Sequence, residues 1–108
     1  MESAGRAHRV ALVPGDGIGD ELAVFEAVHG SAPDIAGQGV ANPLALLMSG
    51  VMMLNHLAET RGDPPCRQAA DRIKAAYNAA LAAGQKTRDL GGPLGTEAFA
   101  DAVIERLA

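Results

Sequence analysis

Apolar and polar positions alternate with glycine- and proline-rich breaks along the whole chain, and the spacing changes from one stretch to the next. Residues 1–7 are small and polar and read as a loose tail. Val10-Ala11-Leu12-Val13 is a short apolar run that stops at Pro14-Gly15, the pattern of a buried strand. Pro14 to Glu21 holds three glycines and reads as a loop. Leu22 to Val28 is apolar at every position except Glu26, which predicts a second, largely buried strand. His29 to Ala41 carries Gly30, Pro33, Gly37 and Gly39 and should be a long irregular loop, a length that favours a functional segment. Asn42-Pro43 then marks a helix start: the amide side chain caps free N–H groups, and proline costs nothing in a first turn. The predicted helix runs to about Glu59 and is apolar on most sides, as a central helix would be. Asp63-Pro64 repeats the start signal, and a helix to about Ala83 follows with Cys66, Ala69, Ala70, Ile73, Tyr77, Ala80 and Leu81 on one broad face. Gly84 stops it. After the glycine-rich loop Thr87–Gly95, Thr96 is expected to cap a last helix whose stripe is Phe99, Val103, Ile104 and Leu107. No internal repeat or linker divides the chain, so residues 1–108 are read as a single domain.

Composition narrows the class. Hydrophobic residues make up 48% and charged residues 20%, too apolar for disorder. The aromatics are only Phe25, Tyr77 and Phe99, so the core must be aliphatic, and a chain this short should be marginally stable. The net charge of −4 and the scattered Lys and Arg argue against a nucleic-acid partner. Cys66 is the single cysteine, which excludes an internal disulfide and fits a reducing compartment. Met1–Arg9 has no apolar core of signal-peptide length, and the apolar stretch Leu44–Leu57 is too short to span a bilayer. The expectation is a cytoplasmic protein without a membrane partner.

Several short constellations invite chemistry and fail on spacing. Gly15-Asp16-Gly17-Ile18-Gly19-Asp20 follows a strand, but the dinucleotide fingerprint needs glycine where Asp20 stands, and no helical pattern follows. Asp16 and Asp20 would share a face only on a helix, which the surrounding glycines do not support, so no metal pair is expected there. His8, His29 and His56 have no second ligand at metal spacing. Met48, Met52 and Met53 read as core filler. Ser31 lacks the strand-to-helix context of an acylating nucleophile.

The stretch Val24-Phe25-Glu26-Ala27-Val28-His29-Gly30-Ser31-Ala32-Pro33-Asp34-Ile35-Ala36-Gly37 resembles the cofactor loop of the isocitrate/isopropylmalate dehydrogenase family. The likeness continues through Val40-Ala41-Asn42-Pro43 and the helix after it, then through Thr87-Arg88-Asp89-Leu90-Gly91-Gly92 and Phe99–Ile104. Val10–Gly19 resembles the family's first strand and turn. The resemblance implies an α/β fold, here a small remnant with two short strands and about three helices. It implies that His29 packs near an adenine, that Gly30, Ser31 and Ala32 approach its ribose and phosphates, and that Asn42 hydrogen-bonds the base. Asp34, followed by Ile35, stands at the family's specificity position, where a carboxylate accepts from ribose hydroxyls and repels a 2′-phosphate, so NAD is implied over NADP. Asp89 is implied on the adenosine side.

The departures matter as much. Family members are much longer, and the missing middle carries the arginines that hold substrate, the tyrosine and lysine that move protons, and the aspartates that bind Mg²⁺ or Mn²⁺. No catalytic residue and no metal site is therefore expected in this chain. Residues 1–19 match the family's N-terminal strand and turn, and residues 20–108 match its C-terminal cofactor-binding region; the two meet at Ile18-Gly19, which belongs to both family segments. Pro14–Glu21 is too short for a parallel crossover, so the two expected strands, if they pair, should be antiparallel. The helix normally between them is absent, and self-association through exposed apolar surface is expected. Three functions follow: an NAD (adenosine-half) binding remnant without autonomous catalysis; a working NAD-dependent isocitrate or 3-isopropylmalate dehydrogenase performing oxidative decarboxylation; or a non-functional fragment or interaction module. The first fits best, with NAD or an adenine nucleotide bound weakly. The details look closer to NAD-dependent isocitrate dehydrogenase than to the isopropylmalate enzyme.

Overall fold

The computed structural model describes residues 23–27 and 32–107. The expected strand Val10–Val13, the Gly15–Asp20 turn, the junction at Ile18-Gly19 and the residues His8, His29, Gly30 and Ser31 lie outside the described residues.

Three helices dominate: α1 (Leu44–Arg61), α2 (Pro64–Ala82) and α3 (Thr96–Glu105). Two short 3-10 turns, Pro33–Ile35 and Arg88–Leu90, interrupt the loops before α1 and before α3. α1 ends at Gly62 (φ 59°), whose left-handed backbone reverses the chain, and α2 begins after Asp63. Gly84 (φ 79°) does the same after α2. α2 packs against α1 on one side and α3 on the other. Its inward residues Ala70, Ala76 and Ala80 are small enough to let the neighbouring helices approach closely, with Tyr77 filling the space between them. Val51 from α1 and Phe99, Ala102 and Val103 from α3 complete the core. Phe99, 1% exposed, is its largest fully buried side chain. Across the surface, Arg67 donates to Asn55 Oδ1 (3.0 Å) and Glu59 Oε1 (3.1 Å), tying α2 to α1, and Arg72 donates to the carbonyl of Leu107 (2.5 Å), just past the end of α3.

The structure departs from the sequence expectations in five places. The strand expected over Leu22–Val28 is not formed across its described residues 23–27: a strand exists only through a neighbouring strand's backbone, and among the described residues none pairs with this segment. Ala23, Val24 and Glu26 are exposed rather than buried. The segment lies on α1 instead, with the Glu26 carbonyl accepting from Ser49 Oγ at 2.7 Å and the Phe25 ring tilted against His56 at 5.3 Å between centroids. Among the described residues the α/β expectation is thus met by helices alone.

α1 is long and apolar as expected but is not central. Leu46 (64% exposed), Met48 and Met52 (61% exposed) face outward, so the two methionines expected to fill the core do not. Met53 joins Pro43, Leu46, Leu47, Gly50, Leu54 and Ile73 around an open apolar cavity of about 230 Å³. A helix apolar all round needs cover on every side, and α2 covers only one. In α3, Ile104 (61% exposed) leaves the expected buried stripe and Ala102 takes its place, because α2 touches a narrower face than periodicity alone suggests. Thr96 is the first residue of α3 rather than its cap; Gly95 holds the cap position, and the Thr96 hydroxyl is engaged elsewhere.

Candidate cofactor site

The described part of the loop expected to bind cofactor begins at Ala32, whose φ of 46° is the only positive value at a non-glycine residue among those described. A β-carbon in the left-handed region costs about 1–2 kcal/mol, so the surrounding loop must hold it there. Pro33–Ile35 turns tightly: Ile35 N–H donates to the Ala32 carbonyl (3.1 Å) and Gln38 N–H to that of Ile35 (3.2 Å), while the Gln38 amide reaches back to the Asp34 carbonyl (2.9 Å). Gly37 (φ 80°) and Gly39 (φ 66°) then carry the chain to Asn42 through conformations closed to most side chains. Asp34 sits exposed within the 3-10 turn, and Ile35 beside it is half-buried.

Asn42 and Asp89, 47 residues apart in sequence, meet directly: Asn42 Nδ2 donates to Asp89 Oδ2 at 3.1 Å. Asn42 Oδ1 accepts from Leu44 N–H at 2.9 Å, so its side chain holds the first N–H of α1 while also reaching across to the second loop; Pro43, expected inside the first turn, takes the cap position instead, and Asn42 stands one residue before it. The orientation of the amide follows from its neighbours. A carboxylate only accepts, so nitrogen must face Asp89, and the oxygen is left for the helix N–H. On the other side of the carboxylate, the Thr87 hydroxyl donates to Asp89 Oδ1 at 2.5 Å. These hydrogen bonds, Thr87's first and Asn42's second, favour the charged form and hold the Asp89 carboxyl below its ordinary range.

The arrangement leaves usable groups. Asn42 keeps one N–H, and the exposed Asp89 carboxylate, which Asn42, Thr87 and the backbone N–H groups of Asp89 and Leu90 all approach, still presents oxygen to solvent. A donor and an acceptor side by side match the edge of adenine, which offers a ring-nitrogen acceptor beside an amino donor. The implied cofactor residues that the structure describes are Ala32, Asp34, Ile35, Asn42 and Asp89; Ala32 and Ile35 meet within one tight turn, and Asn42 and Asp89 meet across 47 residues of sequence. Among the described residues no group of three His, Cys, Asp or Glu could hold a metal ion. No helix among them is long and apolar enough to cross a membrane.

Two residues that build the site escaped the sequence pattern. Thr87 is fully buried and fixes Asp89; the hydroxyl-x-carboxylate spacing of Thr87 and Asp89 is a local signal that could have found it. Thr96 binds the loop before α1 through its backbone and side chain, to the carbonyls of Gly39 and Ala41, for which its capping signature is no guide.

The sequence profile of the family described as isocitrate/isopropylmalate dehydrogenase matches residues 10–103. The isocitrate/homoisocitrate dehydrogenase of Thermus thermophilus is 49% identical over 105 residues, covering 97% of this chain and 29% of that protein. The mitochondrial isocitrate dehydrogenase [NAD] subunit 2 of Kluyveromyces lactis is 50% identical over 109 residues, covering 99% and 28%. Among solved structures, the isocitrate dehydrogenase of Methylococcus capsulatus superposes with a TM-score of 0.71 at 47% identity, over 83% of this chain and 25% of that one. The chain spans under a third of the length of the relatives it matches. With the profile running through nearly all of its residues and the helices superposing on a solved member, the chain belongs to the isocitrate/isopropylmalate dehydrogenase family.

Proposed function

We propose that this chain is an NAD-binding remnant of an isocitrate/isopropylmalate dehydrogenase, gripping the adenosine half of the cofactor without performing oxidative decarboxylation on its own. The observation that carries this reading is the Asn42–Asp89 contact, which sets two implied adenosine residues from distant loops beside each other with a donor and acceptors still available. In this reading His29 and Asn42 bracket the adenine, Gly30, Ser31 and Ala32 line the ribose and phosphates, and Asp34 with Ile35 selects NAD by repelling a 2′-phosphate. Tyr77, the one tyrosine, is buried among the helices and out of reach of a substrate. The family's Mg²⁺ or Mn²⁺ has no place in the proposal.

The proposal takes residues 1–19 as the family's N-terminal strand and turn and residues 20–108 as its C-terminal cofactor-binding region; the DNA flanking the join would show whether a catalytic middle is encoded nearby. A cytoplasmic location, supported by the single Cys66, belongs to the same reading. The exposed Leu46, Met48 and Met52 favour a second reading, an interaction module that associates through α1, and are compatible with the first. The relatives' names favour an NAD-dependent isocitrate enzyme as the parent.

The test combines turnover with selectivity. Purified chain given isocitrate or isopropylmalate, NAD and Mg²⁺ should show no oxidative decarboxylation; turnover at ordinary enzyme rates would overturn the remnant reading. In equilibrium titrations NAD should bind more tightly than NADP, and Asp34→Lys should narrow or reverse that order. An unchanged order would remove Asp34 from the site.

A further inference from the structure

We propose that Thr96, with Gly95 beside it, is a positioning residue for the nucleotide site: the start of α3 sets the Gly39–Asn42 end of the cofactor loop and so aims Asn42. The inference rests on the reading that this loop binds nucleotide. The first N–H groups of a helix have no partner within it. Here the Thr96 N–H donates to the carbonyl of Gly39 at 2.8 Å, so a helix-start donor is spent on the loop. The Thr96 hydroxyl donates to the carbonyl of Ala41 at 2.5 Å, across 55 residues of sequence. One residue thus grips two loop carbonyls, and the second belongs to the peptide that leads into Asn42.

The grip is not a by-product of helix capping. A capping hydroxyl accepts a hydrogen bond from the helix it begins. The Thr96 hydroxyl donates away from α3, and Gly95 at the cap position has no side chain to serve instead. Gly95 answers a second demand, because a β-carbon there would stand 2.6 Å from the Gly39 carbonyl oxygen. Backbone therefore approaches backbone at this point only with glycine at 95. The helix start gives up a side-chain cap while both residues serve the loop.

Thr96→Val removes the hydroxyl at nearly constant shape, Thr96→Ser keeps it, and Gly95→Ala pushes the loop away. AMP affinity and ¹⁵N–¹H spectra are measured for the full chain and each variant, with amide exchange of Val40–Asn42 compared with that of Phe99–Val103. Thr96→Val should weaken AMP by about two- to tenfold, the worth of one hydrogen bond. It should speed exchange at Val40–Asn42 and leave the α3 amides protected. Thr96→Ser should bind within about twofold of the unaltered chain, and Gly95→Ala should weaken AMP as Thr96→Val does. If AMP perturbs residues 32–42 equally in the unaltered chain and in Thr96→Val, the positioning role is wrong and the nucleotide reading stands. If AMP perturbs neither, the nucleotide reading is wrong and the role of Thr96 toward a nucleotide falls with it; faster exchange at Val40–Asn42 in Thr96→Val, restored in Thr96→Ser, then still shows that Thr96 sets this loop, and unchanged exchange overturns that as well. Should Thr96→Val fail to fold, Gly95→Ala and Thr96→Ser carry the same comparison.

Discussion

Replacing Asp89 with alanine should destabilise the chain by about 1–3 kcal/mol, and most of that loss should trace to Thr87 rather than to Asp89 itself. The Thr87 side chain is 0% exposed and its hydroxyl donates to Asp89 Oδ1 at 2.5 Å. With the carboxylate gone, the hydroxyl of a fully buried residue loses its acceptor, and a buried donor left unsatisfied costs about 1–3 kcal/mol. The Asn42–Asp89 bond is exposed, so water replaces it and its share is small. Thr87→Val in the Asp89→Ala background removes the stranded hydroxyl at similar volume, so the double variant should recover most of the loss. Urea unfolding of the four chains, followed by circular dichroism, closes a double-mutant cycle. A coupling of about 1 kcal/mol or more is expected; losses that add to within about 0.5 kcal/mol would refute the claim that Asp89 serves as Thr87's buried acceptor.

Further outcomes follow from the same contacts. Because Thr87 and Asn42 donate to charged Asp89 and lower its pKa, the link is complete at neutral pH and is lost as pH falls through the lowered value; the protection of the Asn42 and Leu90 amides, taken relative to their intrinsic exchange rates at each pH, should fall on acidification before that of α2, and unchanged protection would contradict this. Phe99→Ala empties the largest fully buried position and should cost about 3–5 kcal/mol by urea unfolding; a loss under about 1 kcal/mol would mean that α3 packs differently. Leu46→Ser with Met52→Ser should reduce self-association in sedimentation velocity, since both side chains present apolar surface to water; an unchanged distribution of species would place the contact elsewhere.

α2 and α3 were legible because local chemistry fixes them. Asp63-Pro64 starts α2, Gly84 with its left-handed backbone stops it, and the small inward residues recur at helical spacing. The length of α1 was legible for the same reasons, but its burial was not. Periodicity reports that a face is apolar, while cover depends on what else packs there, and Met48 and Met52 found none. The expected strand at Leu22–Val28 failed on a related point: an apolar run shows the wish to be buried, and residues 23–27 lie across α1 beside Ser49 and His56 instead. Asn42 and Asp89 came from family resemblance, and no spacing rule could have joined residues so far apart. Thr96 was visible as a helix-start residue, yet the partner of its hydroxyl depends on where the loop ends, which only the folded chain shows.

The most direct measurement is an NMR titration of the full chain with AMP and NAD to millimolar concentration, following the side-chain amide of Asn42 and the backbone amides of residues 32–42 and 87–90. A formed adenosine site predicts that the Asn42 Nδ2 resonances move together with Asp89 and its neighbours while the α2 amides stay still. If neither nucleotide moves these resonances, the site is not formed, and the chain is a fragment of its family rather than a nucleotide-binding remnant.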